Sequence, residues 1–274
     1  MWKEIQIENW QHFVSLIHND YGGSWIFRGQ SSTEWDLETS FYRECKKSLG
    51  DYTNREGLTI EKSIYKEFRS SYKLYSATHI IEHSQNEERK AWLEARLGYL
   101  SMMQHYGTPT RLLDWTYSPY IAAFFAIDSA MSDFCVYTID STALEKYYSK
   151  KLGRVYFSAD YRYKALAKIS TRDNNHPYVW FHEPLEKNER IRKQQGLFLV
   201  PSVLDKSIQE ILEANGMVEG KLDGNEVGHK LIFKKDQINE CWSQLKKMNI
   251  THETIYPGLE GFCKSLKLNI INNN

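Results

Sequence analysis

The run from His105 to Ala126, HYGTPTRLLDWTYSPYIAAFFA, sets a histidine, an arginine, an aspartate and a tryptophan against the most apolar stretch of the chain. Burying such groups is costly unless each has a defined partner, so a fold that accepts this run must supply one. Gly107 and Pro109 break what precedes them, and Leu112-Leu113 predicts a short strand. Ser118-Pro119 then offers an N-cap and a first helical residue for the helix that follows. The unit reads as strand, turn and buried helix with polar chemistry at the joint, which makes it the place to look for an active site.

The 274 residues suffice for one large domain or two small ones, and no shift in composition favours two. With 41% apolar and 26% charged residues the chain has a globular composition rather than a disordered one. Thirty-five basic side chains balance 35 acidic ones, so there is no global field to hold a nucleic acid. Such a partner would need a local patch, for which only short runs are present: Lys46-Lys47, Arg190 to Lys193, Lys234-Lys235 and Lys246-Lys247. The four cysteines, Cys45, Cys135, Cys241 and Cys263, lie far apart and predict reduced thiols. The start, MWKEIQIENW, lacks a signal-peptide pattern and no segment reaches membrane-span length. The expectation is a soluble cytoplasmic protein without a membrane partner.

Trp10, Phe13, Val14 and Ile17 share a helical face, and Trp25 to Arg28 predicts a strand. Ser31 to Gly57 is polar and mixed, and reads as a loop with short helical pieces. Ile60, Ile64, Phe68 and Tyr72 recur every four residues, and Trp92, Leu93, Leu97, Leu100 and Met103 mark a second long helix. Strands are predicted at Phe134 to Ile139, Val155 to Phe157, Tyr178 to Phe181, Gly196 to Val200 and Leu231 to Phe233. Asp205 to Glu213 and Asp236 to Lys247 predict helices, with a loop or hairpin from Gly216 to Gly228. The irregular order of helices and strands favours an α+β fold over a doubly wound sheet.

No phosphate-binding loop of either common spacing is present, nor a GxSxG elbow. His79-Ile80-Ile81-Glu82-His83 matches an HxxEH zinc pattern, but no third ligand is specified. No metal is therefore expected. Phe27-Arg28-Gly29-Gln30 places an arginine at a strand end, before a glycine that would let backbone approach a ligand. The guanidinium fork suits a phosphate or carboxylate ligand, or equally a bridge to a carboxylate of the chain such as Asp114. Arg111 and Asp114 likewise read either as site residues or as a buried pair organising the scaffold. Asn188 to Phe198, NERIRKQQGLF, presents Arg190, Gln194 and Gln195 ahead of a strand.

These segments resemble, in this order, the FRG domain, a bacterial family named for the Phe-Arg-Gly that stands here as Phe27-Arg28-Gly29. The central motif is His105-Tyr106-Gly107, then Pro109 to Thr116, then Ser118-Pro119 and Ala122 to Phe125. Arg190-Ile191, Gln194, Gly196 and Phe198 form the third, and Ile250-Thr251 with Tyr256 to Gly261 is similar to the family's closing segment. The resemblance implies one domain over 1–274, with a core at about 22–200, a helical insertion at about 58–104 and an extension at about 201–274. A more distant likeness is to ADP-ribosyltransferases of the Arg-Ser-Glu type, which implies a split mixed sheet with a helical insertion. Asp114-Trp115 stands where that pattern has Ser-Thr, and Gln194 and Gln195 where it has a glutamate; Glu183, Glu186 and Glu189 lie upstream.

The likeness implies NAD as substrate. Arg28 with Gly29 would clamp the diphosphate, and Tyr106 or Trp115 would stack on nicotinamide, with Thr110 and Thr116 in the same wall. Arg111 would contact a second phosphate or pair with Asp114. His105 or Asp114 would take the proton of the attacking nucleophile, and Gln194 would bond the ribose. The family's company implies a toxin or phage-defence effector, acting on RNA or another acceptor and held by an antitoxin or chaperone. A non-enzymatic nucleotide- or protein-binding module is the alternative, and a zinc hydrolase through His79 and His83 a third.

Overall fold

The computed structural model describes residues 2–76, 89–152, 177–184 and 187–271. A short strand, β1 (Lys3–Gln6), precedes helix α1 (Trp10–Asp20), which buries Trp10, Phe13 and Ile17 as their spacing predicts. Strand β2 (Trp25–Gln30) follows, and then three helices, α2 (Ser40–Leu49), α3 (Asn54–Ser71) and α4 (Arg89–His105). The span from Ser31 to Gly57 is thus more helical than its mixed composition suggests. Thr39 caps α2, which buries Phe41, Tyr42 and Cys45, and Thr53 with Glu56 forms a reciprocal capping box at the start of α3.

Strand β3 (Leu113–Thr116), one residue later than the Leu112-Leu113 pair predicts, leads into α5 (Pro119–Ile127). The Ser118 hydroxyl accepts from the Ile121 amide, and Pro119 occupies the first helical turn. Then come β4 (Phe134–Asp140), α6 (Ser141–Leu152), β5 (Val179–His182), α7 (Glu189–Lys193), β6 (Gly196–Pro201) and α8 (Ile208–Ala214). A hairpin of β7 (Lys221–Leu222) and β8 (Asn225–Glu226) turns through Asp223 and Gly224, both at positive φ as a tight two-residue turn requires. Strand β9 (Gly228–Phe233) and helices α9 (Ile238–Lys247), α10 (His252–Ile255) and α11 (Gly258–Ile271) complete the described chain. The strand predicted at Val155 to Phe157 and the His79–His83 pattern lie outside the described residues.

Seven strands form one mixed sheet in the order β1-β9-β4-β2-β3-β6-β5, with β1 and β9 parallel and every other pair antiparallel. This α+β architecture matches the class read from the sequence. Alternation along β4 divides the core: Phe134 and Val136 join α1, α5 and α9 on one face, while Cys135, Tyr137 and Ile139 join α4, α6 and α8 on the other. Between β2 and β3 the register is a single pair, Phe27 with Thr116, whereas β2 and β4 pair along six residues. The sheet is held together loosely at that one seam.

Two features lock the elements beside the seam. A Cβ on Gly29 would fall 1.9 Å from the Ala122 carbonyl oxygen and 2.5 Å from the Ala126 nitrogen, so the missing side chain lets α5 lie directly on β2. Ligand approach, the use expected for this glycine, is not what excludes a side chain here. The second lock is ionic. Arg111, fully buried, forks onto Glu61 with both Nε and Nη2 at 2.6 Å and reaches the Pro201 carbonyl through Nη1 at 3.5 Å. Arg96 adds a bond to the same carboxylate at 3.3 Å. Asp114, the other reading of Arg111's partner, takes no part.

Burial alone would raise the Glu61 carboxyl, but Arg111 and Arg96 outweigh it and hold it below the ordinary carboxylate range. A folded value below the unfolded one stabilises the fold above about pH 4.3, and the gain is lost as pH falls further. Glu61→Ala should cost about 3–5 kcal/mol by urea unfolding, because two guanidinium groups are left buried without their anion. Glu61→Gln should also flatten the acid limb of the stability curve between about pH 5 and pH 3.

Candidate functional site

The seam between β2 and β3 opens into a cavity of about 340 Å³. Its floor comes from both strands: Phe27, Arg28 and Gly29 on one side, Asp114, Trp115 and Thr116 on the other. The last turns of α4 supply Ser101, Gln104 and His105, and α5 supplies Phe125. The far wall is Asn188, Arg190, Ile191 and Gln194 around α7, the start of β6, and Tyr256 between α10 and α11. Seven residues anticipated from the sequence thus line one cavity: Arg28, Gly29, His105, Asp114, Trp115, Thr116 and Gln194.

Three do not. Arg111 and Thr110 are fully buried. Arg111 is spent on Glu61, so a second phosphate contact is not available to it. Thr110 donates to Gln104 Oε1, away from the cavity. Tyr106 projects into solvent, 65% exposed, and touches the edge of the His105 ring. Its indole counterpart, Trp115, is the aromatic of that motif that reaches the cavity.

Arg28 spans the seam. Its Nη1 donates to the main-chain carbonyl of Asp114 at 2.7 Å, while its Nε has no partner among the described residues. Burial and Arg43 weigh against the guanidinium charge, and the Asp114 carboxylate supports it. The expected bridge from Arg28 to a carboxylate is replaced by this carbonyl bond. The Asp114 carboxylate instead accepts from Gln104 Nε2, at 2.8 Å on each oxygen. Burial in the surrounding protein raises its pKa, and Arg28, Arg190 and Gln104 offset this only in part. The Asp114 carboxylate itself is open to solvent on the cavity side.

His105 is driven the other way. Burial and the nearby Arg190 lower its pKa, with Glu260 opposing, and its Nδ1 is unpaired among the described residues. The imidazole is therefore neutral near pH 7. Thr116 Oγ1 donates to the Gln194 carbonyl at 2.7 Å and ties β3 to the turn after α7, where Gln195 adopts a φ of 46°. Glu183 bonds Tyr117 and Lys187, and Glu189 pairs with Lys193. Glu186 lies outside the described residues. Among the residues lining the cavity, Asp114 carries the lone carboxylate.

Gln104, Ser101, Phe125, Asn188 and Tyr256 were not singled out by the sequence as site residues. Gln104 adjoins His105 and is one helical turn from Ser101, so the helical period marks that face once His105 is placed. Tyr256 carries Lys264 over its ring at 3.6 Å and Arg190 at 5.0 Å, and burial pushes its hydroxyl up to about 12. No sequence spacing links residue 256 to residue 28.

The cavity is half-open and partly apolar, with a half-buried arginine, one carboxylate and aromatic walls, the form that small-molecule pockets commonly take. Residues 23–134 match the FRG domain. The match takes in β2, β3, α5 and the α4 residues of the cavity, and leaves α7, β6 and Tyr256 outside. No curated protein and no solved structure matches the chain. Among the described residues no group of histidine, cysteine and carboxylate side chains is arranged to hold a metal, and no helix is long and apolar enough to cross a membrane.

A raised carboxyl destabilises the folded state at every pH above its unfolded value, because the ionised form is the disfavoured one. Asp114→Asn should therefore melt no lower than wild type at pH 7, with only a small gain because the carboxylate is exposed to the cavity and screened by solvent. The difference should shrink toward pH 3, where the wild-type group is protonated; calorimetry across this range checks both parts.

Proposed function

We propose that the cavity binds a nucleotide and that the chain is an NAD-dependent ADP-ribosyltransferase. The observation that carries this reading is the pairing of Arg28 and Asp114 across the loosened β2/β3 seam, facing one aromatic-walled cavity. A mixed sheet that parts between its two motif-bearing strands supports the likeness to the split sheet of those enzymes. A volume of about 340 Å³ lies within the roughly 300–1,000 Å³ typical of ligand pockets and suits one half of a dinucleotide.

In this reading Arg28 neutralises the diphosphate, while Trp115 and Tyr256 offer surfaces for the planar rings. The bond between ribose C1′ and the nicotinamide nitrogen breaks, and its electron pair leaves with neutral nicotinamide. A lone pair of the acceptor forms the new bond to C1′, and the acceptor's proton passes to Asp114 or to neutral His105. In its ionised form Asp114 would also stabilise the positive charge that grows on the ribose. Gln194, in the same wall, would bond a ribose hydroxyl. The resemblance stated above supports a toxin or phage-defence role, with RNA or another nucleic acid as acceptor and an antitoxin or chaperone as partner.

A second reading, a nucleotide-binding module without turnover, is favoured by one observation. The amide of Gln194 occupies the wall where the enzyme pattern places a glutamate, and an amide stabilises cationic charge less than a carboxylate does. Incubation with labelled NAD and total cellular RNA, DNA and protein separates the two. The enzyme reading expects nicotinamide release and label transfer, each reduced at least about 100-fold by Arg28→Ala and by Asp114→Ala. Binding that Arg28→Ala abolishes, with no release by wild type, establishes the module instead. No binding and no release removes both.

A further inference from the structure

The bonds behind Asp114 have a direction that the sequence alone does not reveal. The Leu112 amide is obliged to donate, and it does so to Thr110 Oγ1 at 3.2 Å. With one lone pair engaged by that amide, the Thr110 hydroxyl donates onward to Gln104 Oε1. With its carbonyl oxygen accepting there, the Gln104 amide must present its NH₂ to Asp114, where Nε2 lies 2.8 Å from both carboxylate oxygens. Thr110 is in turn clamped by α2: its amide donates to Ser40 Oγ at 3.0 Å, and its carbonyl accepts from the Phe41 amide at 3.1 Å.

In this arrangement each link donates toward Asp114. A proton on Asp114 cannot occupy the side facing Gln104, because a donor already stands there. We propose that Thr110 and Gln104 form a one-way relay that positions the Asp114 carboxyl so that any proton it carries lies on the cavity side. Asp114 then exchanges its proton on the cavity side, with the occupant or with a group such as His105 that faces the cavity, and not through Gln104. Thr110 and Gln104 are positioning residues, acting through Asp114. The inference goes beyond the transferase reading and holds for any occupant with an exchangeable proton.

The other groups facing Asp114 are Arg28 on β2, Arg190 on α7, His105 on α4 and Tyr256 beyond α10. Arg28 and Arg190 favour its charge and do so without Gln104, so the relay's share is separable. Thr110→Val keeps the shape of a buried side chain but frees the Gln104 amide to turn. Thr110→Ser keeps the hydroxyl. Gln104→Leu, at a half-buried position in the last turn of α4, removes the donor outright.

The test is the carboxyl titration of Asp114 in the ligand-free chain, followed by carbon NMR with labelled aspartate and assigned by its loss in Asp114→Asn. The relay expects Thr110→Val and Gln104→Leu each to raise the midpoint by about one pH unit, the tenfold change for one lost bond to a charged acceptor. Thr110→Ser should restore the wild-type midpoint. Midpoints unchanged or lowered in Gln104→Leu, or a Thr110→Ser midpoint no different from that of Thr110→Val, overturn the relay. Because no NAD is present, this result stands apart from the outcome of the transfer assay.

Discussion

The Arg111–Glu61 pair is the contact on which the site depends. It joins the residue that begins the β3 segment to the middle of α3, and through Arg96 and Pro201 it draws in α4 and β6. Two cations share one anion in a region from which water is excluded, so the geometry has little freedom before a charge is left bare. Three residues on, Asp114 inherits that rigidity. The Asp114 carboxyl, open to the cavity, stays in place because the backbone carrying it is fixed by a strongly paired neighbour.

The two ionic systems divide the labour of the central motif. Arg111 and Asp114 sit three apart with opposite charge, and the simplest expectation pairs them. The β-strand geometry sends their side chains to different surroundings: Arg111 precedes the strand and turns inward to α3, whereas Asp114 turns to the cavity. Scaffold and site are thus interleaved in one run of sequence without sharing a bond.

Much of the fold was legible because its signals are local. The spacing of Trp10, Phe13 and Ile17, the Ser118-Pro119 start of α5 and the β-rich run at β4 each name their element directly. The shortfalls have equally physical causes. β1 is a polar four-residue edge, KEIQ, that becomes a strand only by pairing with β9 more than two hundred residues later. α2 hides in a polar segment because its buried face is only Phe41, Tyr42 and Cys45. At the site, the sequence offered the residues with special chemistry but not their partners. Glu61 as the counter-ion of Arg111 and Tyr256 as a wall opposite Arg28 are tertiary facts, and no periodicity encodes them. The missing side chain of Gly29 admits α5, a tertiary neighbour that no local pattern names.

The order of strands in the sheet has a consequence for how the molecule is made. β4 acquires its outer neighbour only when β9 exists, and β1 has no partner until then. The cavity gains its last wall later still, at Tyr256. A chain emerging from the ribosome therefore carries Arg28, His105 and Asp114 long before it can enclose them, with an unpaired strand edge exposed meanwhile. The edge is covered once β9 is made, and the cavity is completed only afterwards, when Tyr256 follows.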